Sequence, residues 1–251
     1  MAILTLFLLY RFALPAIGSA VAMMIPVTWE DALGREMVQR FAPPDKRCAD
    51  ANLQSAVDHI VRLLSGPTSS RYQYQLYVMP NEQVNAFAAP GGHIVVFTGL
   101  IKRTKTPEEL AGVIAHEMEH AENRHGTRAI FRSLSFWALV SLVTGDANAT
   151  IVQLAGTLVQ LRYSRDDEAE ADRGAMERMQ QARLDPDGMI RAFRMLEREA
   201  ADLPRGLQYL STHPQLADRI RAVERLGRSS TAVREPLLQD RAWPPVLSCT
   251  Q

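Results

Sequence analysis

The feature that most constrains this chain is His116-Glu117-Met118-Glu119-His120, two histidines four residues apart with a glutamate directly after the first. On a helix, positions i and i+4 lie one turn apart on the same face, so both imidazoles can reach one point. Zinc accepts neutral imidazole nitrogen at about 2.0–2.1 Å. Glu117, one step round the helix, reaches water beside such an ion rather than the ion itself. The helix is well signalled. Thr106 caps it, Pro107 takes the first helical position and Glu109 can close a capping box. It should run to about His125, with Gly126 ending it. Val113, His116, Glu117 and His120 fall at three- and four-residue steps, with Leu110 and Ile114 leading in, so the motif sits where the helix meets the core. Two buried histidines and a buried glutamate without a partner would be costly, and a bound cation removes that objection.

A zinc site of this kind needs a third protein ligand from elsewhere. The segment Ser164-Arg165-Asp166-Asp167-Glu168-Ala169-Glu170-Ala171-Asp172 offers two carboxylates one turn apart, Glu168 and Asp172. One can coordinate the ion, and the other can accept a hydrogen bond from the far nitrogen of a ligand histidine and fix its tautomer. Opposition to the helix macrodipole explains acidic residues in a first turn, such as Asp166 and Asp167, but not Asp172 two turns in. His125, at the end of the metal-binding helix and half a revolution from His116, is not expected to be a ligand. His59 and His93 read as structural.

The rest of the 251-residue chain is an ordinary folded protein, 47% hydrophobic and 22% charged. Lys plus Arg equals Asp plus Glu at 28 each, and this zero balance argues against a nucleic-acid partner, which needs a basic surplus. Ala2 to Pro26 is strongly apolar, with Arg11 its only charge and Pro15 in its middle. It reads as an anchor-like or signal-like segment running into an amphipathic arm over residues 1–41. Ala42-Pro43-Pro44-Asp45 breaks the arm from the body. A helical stripe over 49–64 follows, then β-rich runs at 72–79, 84–88 and 93–100, suggesting a small antiparallel sheet. After the metal-binding helix come two apolar stretches, 131–143 and 147–161, read as a buried helical hairpin. Ser164 then caps a charged helix to about Arg183, and 185–199 and 214–226 read as two more. The pattern is α+β and mainly helical, with one domain over 42–228 and a Pro- and Arg-rich tail over 229–251. Cys48 and Cys249 would bridge in an exported protein and remain free thiols in a cytosolic one.

The order of these motifs resembles that of a known family. His116 to His120, followed some fifty residues later by Ser164 to Asp172, is similar to the gluzincin zinc metallopeptidases of the HtpX, BepA and CaaX prenyl protease family. The run Asn85 to Ile101 looks like that family's strand-turn-strand, and Ser211-Thr212-His213-Pro214 resembles its later histidine-proline motif. The resemblance covers about residues 50 to 226 and implies a zincin-like, BepA-like catalytic domain rather than a multi-span membrane barrel. It implies one zinc ion per chain with His116, His120 and Glu168 as ligands and Glu117 as general base. Asp172 would support a ligand histidine. His213 would lie near the metal, either blocking its open position or aiding the transition-state oxyanion. Arg219 is a further candidate for contact with the oxyanion or for support of a ligand. Asn85 and Ala86, on the strand before the zinc helix, could pair with the backbone of a polypeptide substrate.

The function expected on these grounds is zinc-dependent endoproteolysis of misfolded or membrane-proximal proteins. Zinc and Glu117 would activate the attacking water. The alternative is a chaperone-like assembly factor that retains zinc in a self-inhibited site. The N-terminal segment points to membrane association or to the periplasm of a bacterial cell envelope, in a protein quality-control role.

Overall fold

The computed structural model describes residues 14–66, 70–133, 163–202 and 212–227, together with Tyr209, Leu237, Trp243 and Cys249. Helix α1 spans Leu14–Met24 and α2 spans Val27–Phe41. Helix α3, Ala51–Ser65, is capped by Asp50, whose carboxylate accepts from the backbone N–H groups of Asn52 and Leu53. Strands β1 (Gln75–Met79), β2 (Ala86–Ala89) and β3 (His93–Phe97) follow, then the short α4, Thr98–Arg103. Helix α5 is Pro107–Glu122, and residues 125–133 form α6. Helices α7 (Arg165–Gln181), α8 (Asp187–Asp202) and α9 (Leu216–Gly227) complete the described elements. The proposed hairpin over 131–143 and 147–161 lies outside the described residues beyond position 133, as do Ser211 and most of the tail.

The sheet is mixed, not antiparallel as expected. Its order is β1-β3-β2, with β1 parallel to β3 and β2 antiparallel to it. The reason lies in burial. Every residue of β3 is buried, as its apolar run Ile94-Val95-Val96-Phe97 requires, so β3 takes the centre, and β1 and β2, each with partly exposed residues, take the edges. Two further expectations shift at their ends: the 93–100 run leaves the sheet after Phe97 to become α4, and β1 begins at Gln75 rather than Tyr72.

One face of the sheet meets α3 and α5. Leu53, Val57, Ile60, Leu76, Ile94, Val96, Leu110 and Ile114 join the main core there, with Phe193 from α8. The other face is covered by α2, whose Met37 and Val38 pack on Met79, Val95 and Phe97. The arm is therefore packed onto the sheet. Helix α5 is buried on every side from Glu109 to Ala121, against α7, α8 and the sheet. At Gly112 a β-carbon would sit 2.5 Å from the Met189 Cα, so glycine is what allows α5 and α8 to cross so closely. Described tail residues also join the core. Leu237 is buried, Trp243 Nε1 donates to Thr104 Oγ1 (3.1 Å), and Cys249 is disulfide-bonded to Cys48 with Cα atoms 5.1 Å apart. Of the two readings of the cysteines, the structure takes the bridge.

Candidate metal centre

Helix α5 begins as its sequence indicates, with Thr106 Oγ1 accepting from the Glu109 N–H. The Glu109 carboxylate turns instead to the Lys105 N–H (2.7 Å), so the reciprocal half of the capping box is displaced by one residue. The helix ends earlier than expected. Asn123 is its C-cap and Arg124 adopts a left-handed conformation (φ 56°), after which α6 starts at His125. Helix α7 carries the complete capping box of Ser164 and Asp167 at its start.

These two helices and α9 bring the candidate residues together. His116 Nε2 and His120 Nε2 lie 2.9 Å apart. Glu168, on α7, places Oε2 3.5 Å from His116 Nε2 and Oε1 3.6 Å from His120 Nε2. His213, just before α9, sets Nδ1 3.0 Å from Glu168 Oε1 and 3.4 Å from His116 Nε2. All four residues are buried, and one donor atom from each lies within 4.8 Å of the others. Ligands around a tetrahedral ion with bonds of about 2.0–2.1 Å stand about 3.3 Å apart, within the 2.9–3.6 Å range of the donor pairs above.

The partners behind the rings support a cation. His116 Nδ1 lies 3.0 Å from Asp172 Oδ1, and His120 Nδ1 lies 2.9 Å from His125 Nδ1. With each Nδ1 carrying the proton for its outer partner, both Nε2 atoms present lone pairs to each other. Neither can then donate, and a positive ion between them resolves the contact. Glu117 Oε1 has no hydrogen-bond partner, a costly state for a buried carboxylate oxygen. The donor set therefore fits one zinc ion.

Arg219, from α9, binds both supporting carboxylates. Its Nε and Nη2 donate to Asp172 at 2.9 and 2.7 Å, and its Nη1 forms an ion pair with Glu168 Oε2. Burial would raise the pKa of Asp172, but the Arg219 contact outweighs it and holds the carboxyl below its ordinary value. For Glu168 too, burial is outweighed, by His213, His116 and Arg219, and the carboxyl stays far below the usual range. Burial lowers His116, yet the hydrogen bonds with Asp172 and Glu168 prevail and raise it to about 9. Burial, reinforced by His116 and His213, pushes His120 well down. Glu117 moves upward: burial is the main cause, partly opposed by His213 and His116.

Glu117 stands beside the cluster. Its Oε2 accepts from the Ala88 N–H of β2 (2.9 Å), and its Oε1 faces His213 Nε2 at 3.5 Å. Phe97 N donates to Asn85 O, so by strand alternation the Ala88 N–H belongs to the outer edge of β2. Asn85 and Ala86 are buried, with the Asn85 carbonyl committed to β3, so the half-exposed part of this strand is Phe87 and Ala88. A small cavity opens beside His120, lined by Ala88, Ala89, Pro90 and Gly126. Glu119, outside the cluster, is paired with Arg178 (2.7 Å).

Three neighbours escaped sequence reasoning. Tyr163 stacks on His120 with ring centroids 3.8 Å apart, and Tyr209 stacks on His213 at 4.3 Å. No sequence pattern marks either. His125 is the third, because a continuous helix would turn it away from His116. Asn123, a residue that favours helix C-termini, was the signal that the helix stops first.

A buried helix presenting two imidazoles, a carboxylate from a second helix and a glutamate with an unpaired oxygen define the class of zinc metallopeptidase catalytic domains. The particular family follows from the chain as a whole. Residues 48–226 match Peptidase family M48, and the chain belongs to that family, whose metallopeptidases use zinc. It is 27% identical to the Beta-barrel assembly-enhancing protease of Yersinia pestis over 215 residues, 80% of this chain and 44% of that protein. The protein of the same name from Escherichia coli is 28% identical over the same shares. Mitochondrial metalloendopeptidase OMA1 of Schizosaccharomyces pombe is 30% identical over 196 residues, 74% of this chain and 57% of that protein. The chain spans about half the length of these relatives.

Proposed function

We propose that this chain is a zinc-dependent metalloendopeptidase that hydrolyses peptide bonds in polypeptide substrates. The observation that carries the reading is the buried group of His116, His120, Glu168 and His213 with Glu117 at its side. His116, His120 and Glu168 would hold the ion, which when bound polarises the scissile carbonyl and makes water acidic. Glu117, its pKa raised by burial, takes a proton from water and delivers it to the leaving amine. The Ala88 N–H orients that carboxylate, and Asp172 with Arg219 holds the His116 ring. An extended substrate would pair along the outer edge of β2 towards Ala88, with Asn85 and Ala86 shaping the strand behind it.

Replacing Glu117 by glutamine tests the reading. Casein cleavage should fall by about 10²–10⁴-fold, the share of general acid–base catalysis, while the purified protein keeps about one zinc per chain. Undiminished turnover by a zinc-loaded Glu117→Gln protein would overturn it. The position of His213 Nδ1 among the donor atoms favours a site held shut by this side chain. His213→Ala should then cleave casein faster than wild type, and slower cleavage would assign His213 to oxyanion binding.

Residues 42–228 form the catalytic unit in this reading, with α2 of the arm (1–41) and Leu237, Trp243 and Cys249 of the tail (229–251) packed on it. Two features support work at a membrane surface in the cell envelope on misfolded or membrane-proximal proteins. Ile17, Val21 and Met24 are exposed at helical spacing along α1, with Met23 and Trp29 exposed beside them. The Cys48–Cys249 bridge suits an oxidising compartment. No helix among the described residues is long and apolar enough to cross a membrane.

A further inference from the structure

The two ring ligands on α5 are held from behind in different ways. His116 leans on the Asp172 carboxylate directly. His120 leans on a second imidazole, that of His125, which is fully buried. On its far side His125 Nε2 lies 3.1 Å from Glu170 Oε2 and 3.6 Å from Asp167 Oδ1. Asp167 is already engaged by Ser164 and Arg128, which leaves Glu170 as the nearer acceptor. The left-handed turn at Arg124 makes this possible, because it redirects the chain so that the first residue of α6 returns to the end of α5.

We propose that His125 and Glu170 form a positioning relay that fixes the tautomer and ring angle of His120 for metal binding. The inference rests on the metal-centre reading above. Its direction is set by hydrogen-bond bookkeeping alone. His120 Nε2 faces the donor group and must bring a lone pair, so its proton is on Nδ1. That N–H donates to His125 Nδ1, which must therefore be the bare nitrogen of its ring. The His125 proton is then on Nε2 and donates to Glu170. The chain of bonds runs one way, from the metal-facing ring to a carboxylate whose side chain is 49% exposed. His125 is not a fourth ligand, because it meets His120 at Nδ1, on the side away from His116 and Glu168. It is not mere filling either, since both of its nitrogens have directed partners. A chain of this kind at a metal ligand is worth about 10–100-fold in metal affinity.

The test uses the full chain and zinc alone. Zinc affinity is measured by competition with a chromophoric chelator. His125→Leu keeps the bulk but removes both nitrogens, and zinc should bind about 10–100-fold more weakly. His125→Gln can accept with its amide oxygen and donate with its amide nitrogen, and should restore most of that loss. A role in packing alone predicts the reverse order, with leucine the better replacement. A second measurement needs no variant. In the zinc-loaded wild-type protein, imidazole nitrogen–proton NMR correlations should show His120 protonated on Nδ1 and His125 on Nε2. Unchanged zinc affinity in His125→Leu, or a His125 proton on Nδ1, would overturn the relay. Wild-type protein that binds no zinc would overturn the metal-centre reading itself, a result distinct from either of these.

Discussion

Arg219 is the residue on which the charge balance of the centre turns. One guanidinium holds Asp172 through two hydrogen bonds and also reaches Glu168, all of them buried. Removing one partner of a buried charge pair costs about 3–5 kcal/mol, because the other charge is left stranded. Arg219→Leu should lower the urea unfolding free energy of the zinc-free protein by that amount at pH 7. The pH dependence has a definite sign. The folded-state pKa of Asp172 lies below 3.8, so its contribution is complete above the unfolded value of about 4 and is lost as pH falls through the folded value. The gap between wild type and Arg219→Leu should therefore narrow in acid, and a gap independent of pH would count against this account. His116, Glu117 and His120 were legible residue by residue because one helix fixes their spacing. The partners of Arg219 come from α7, and no local rule in the sequence brings α7 and α9 together.

At the scale of elements, helix starts were legible and helix ends were less so. Starts carry side-chain caps that can be read directly, as at Thr106 and Ser164. The end of α5 depends on a backbone turn at Arg124, whose side chain donates to the Ala22 and Met23 carbonyls at the end of α1. That contact spans a hundred residues of sequence. The seating of α2 is equally non-local. A β-carbon on Gly34 would fall on the Pro90 carbonyl oxygen and 2.6 Å from His93 Cδ2, so glycine lets α2 rest on the turn between β2 and β3. Overpacking of this kind costs about 1–3 kcal/mol. Gly34→Ala should lower the urea unfolding free energy by that amount, and an unaltered midpoint would show that α2 moves away freely.

At the scale of the molecule, the Cys48–Cys249 bridge closes a loop across 201 positions and ties the tail to the segment ahead of α3. Linking residues that far apart removes unfolded-state entropy and should contribute about 2–5 kcal/mol. Reductant, or the pair Cys48→Ser with Cys249→Ser, should therefore lower the urea unfolding free energy by that amount, with little further change when the two are combined. The sequence by itself determined the helix that carries His116 and His120, its N-cap at Thr106, the acidic helix that answers it and the α+β class, because each depends on residues within a few turns of one another. Tertiary structure decided the rest: the mixed order of the strands, the disulfide, the stacking of Tyr163 and Tyr209, and the His125 contact with His120. These are meetings between distant segments or across a break in a helix, and they exist only once burial of the central strand and of α5 has set how the elements pack.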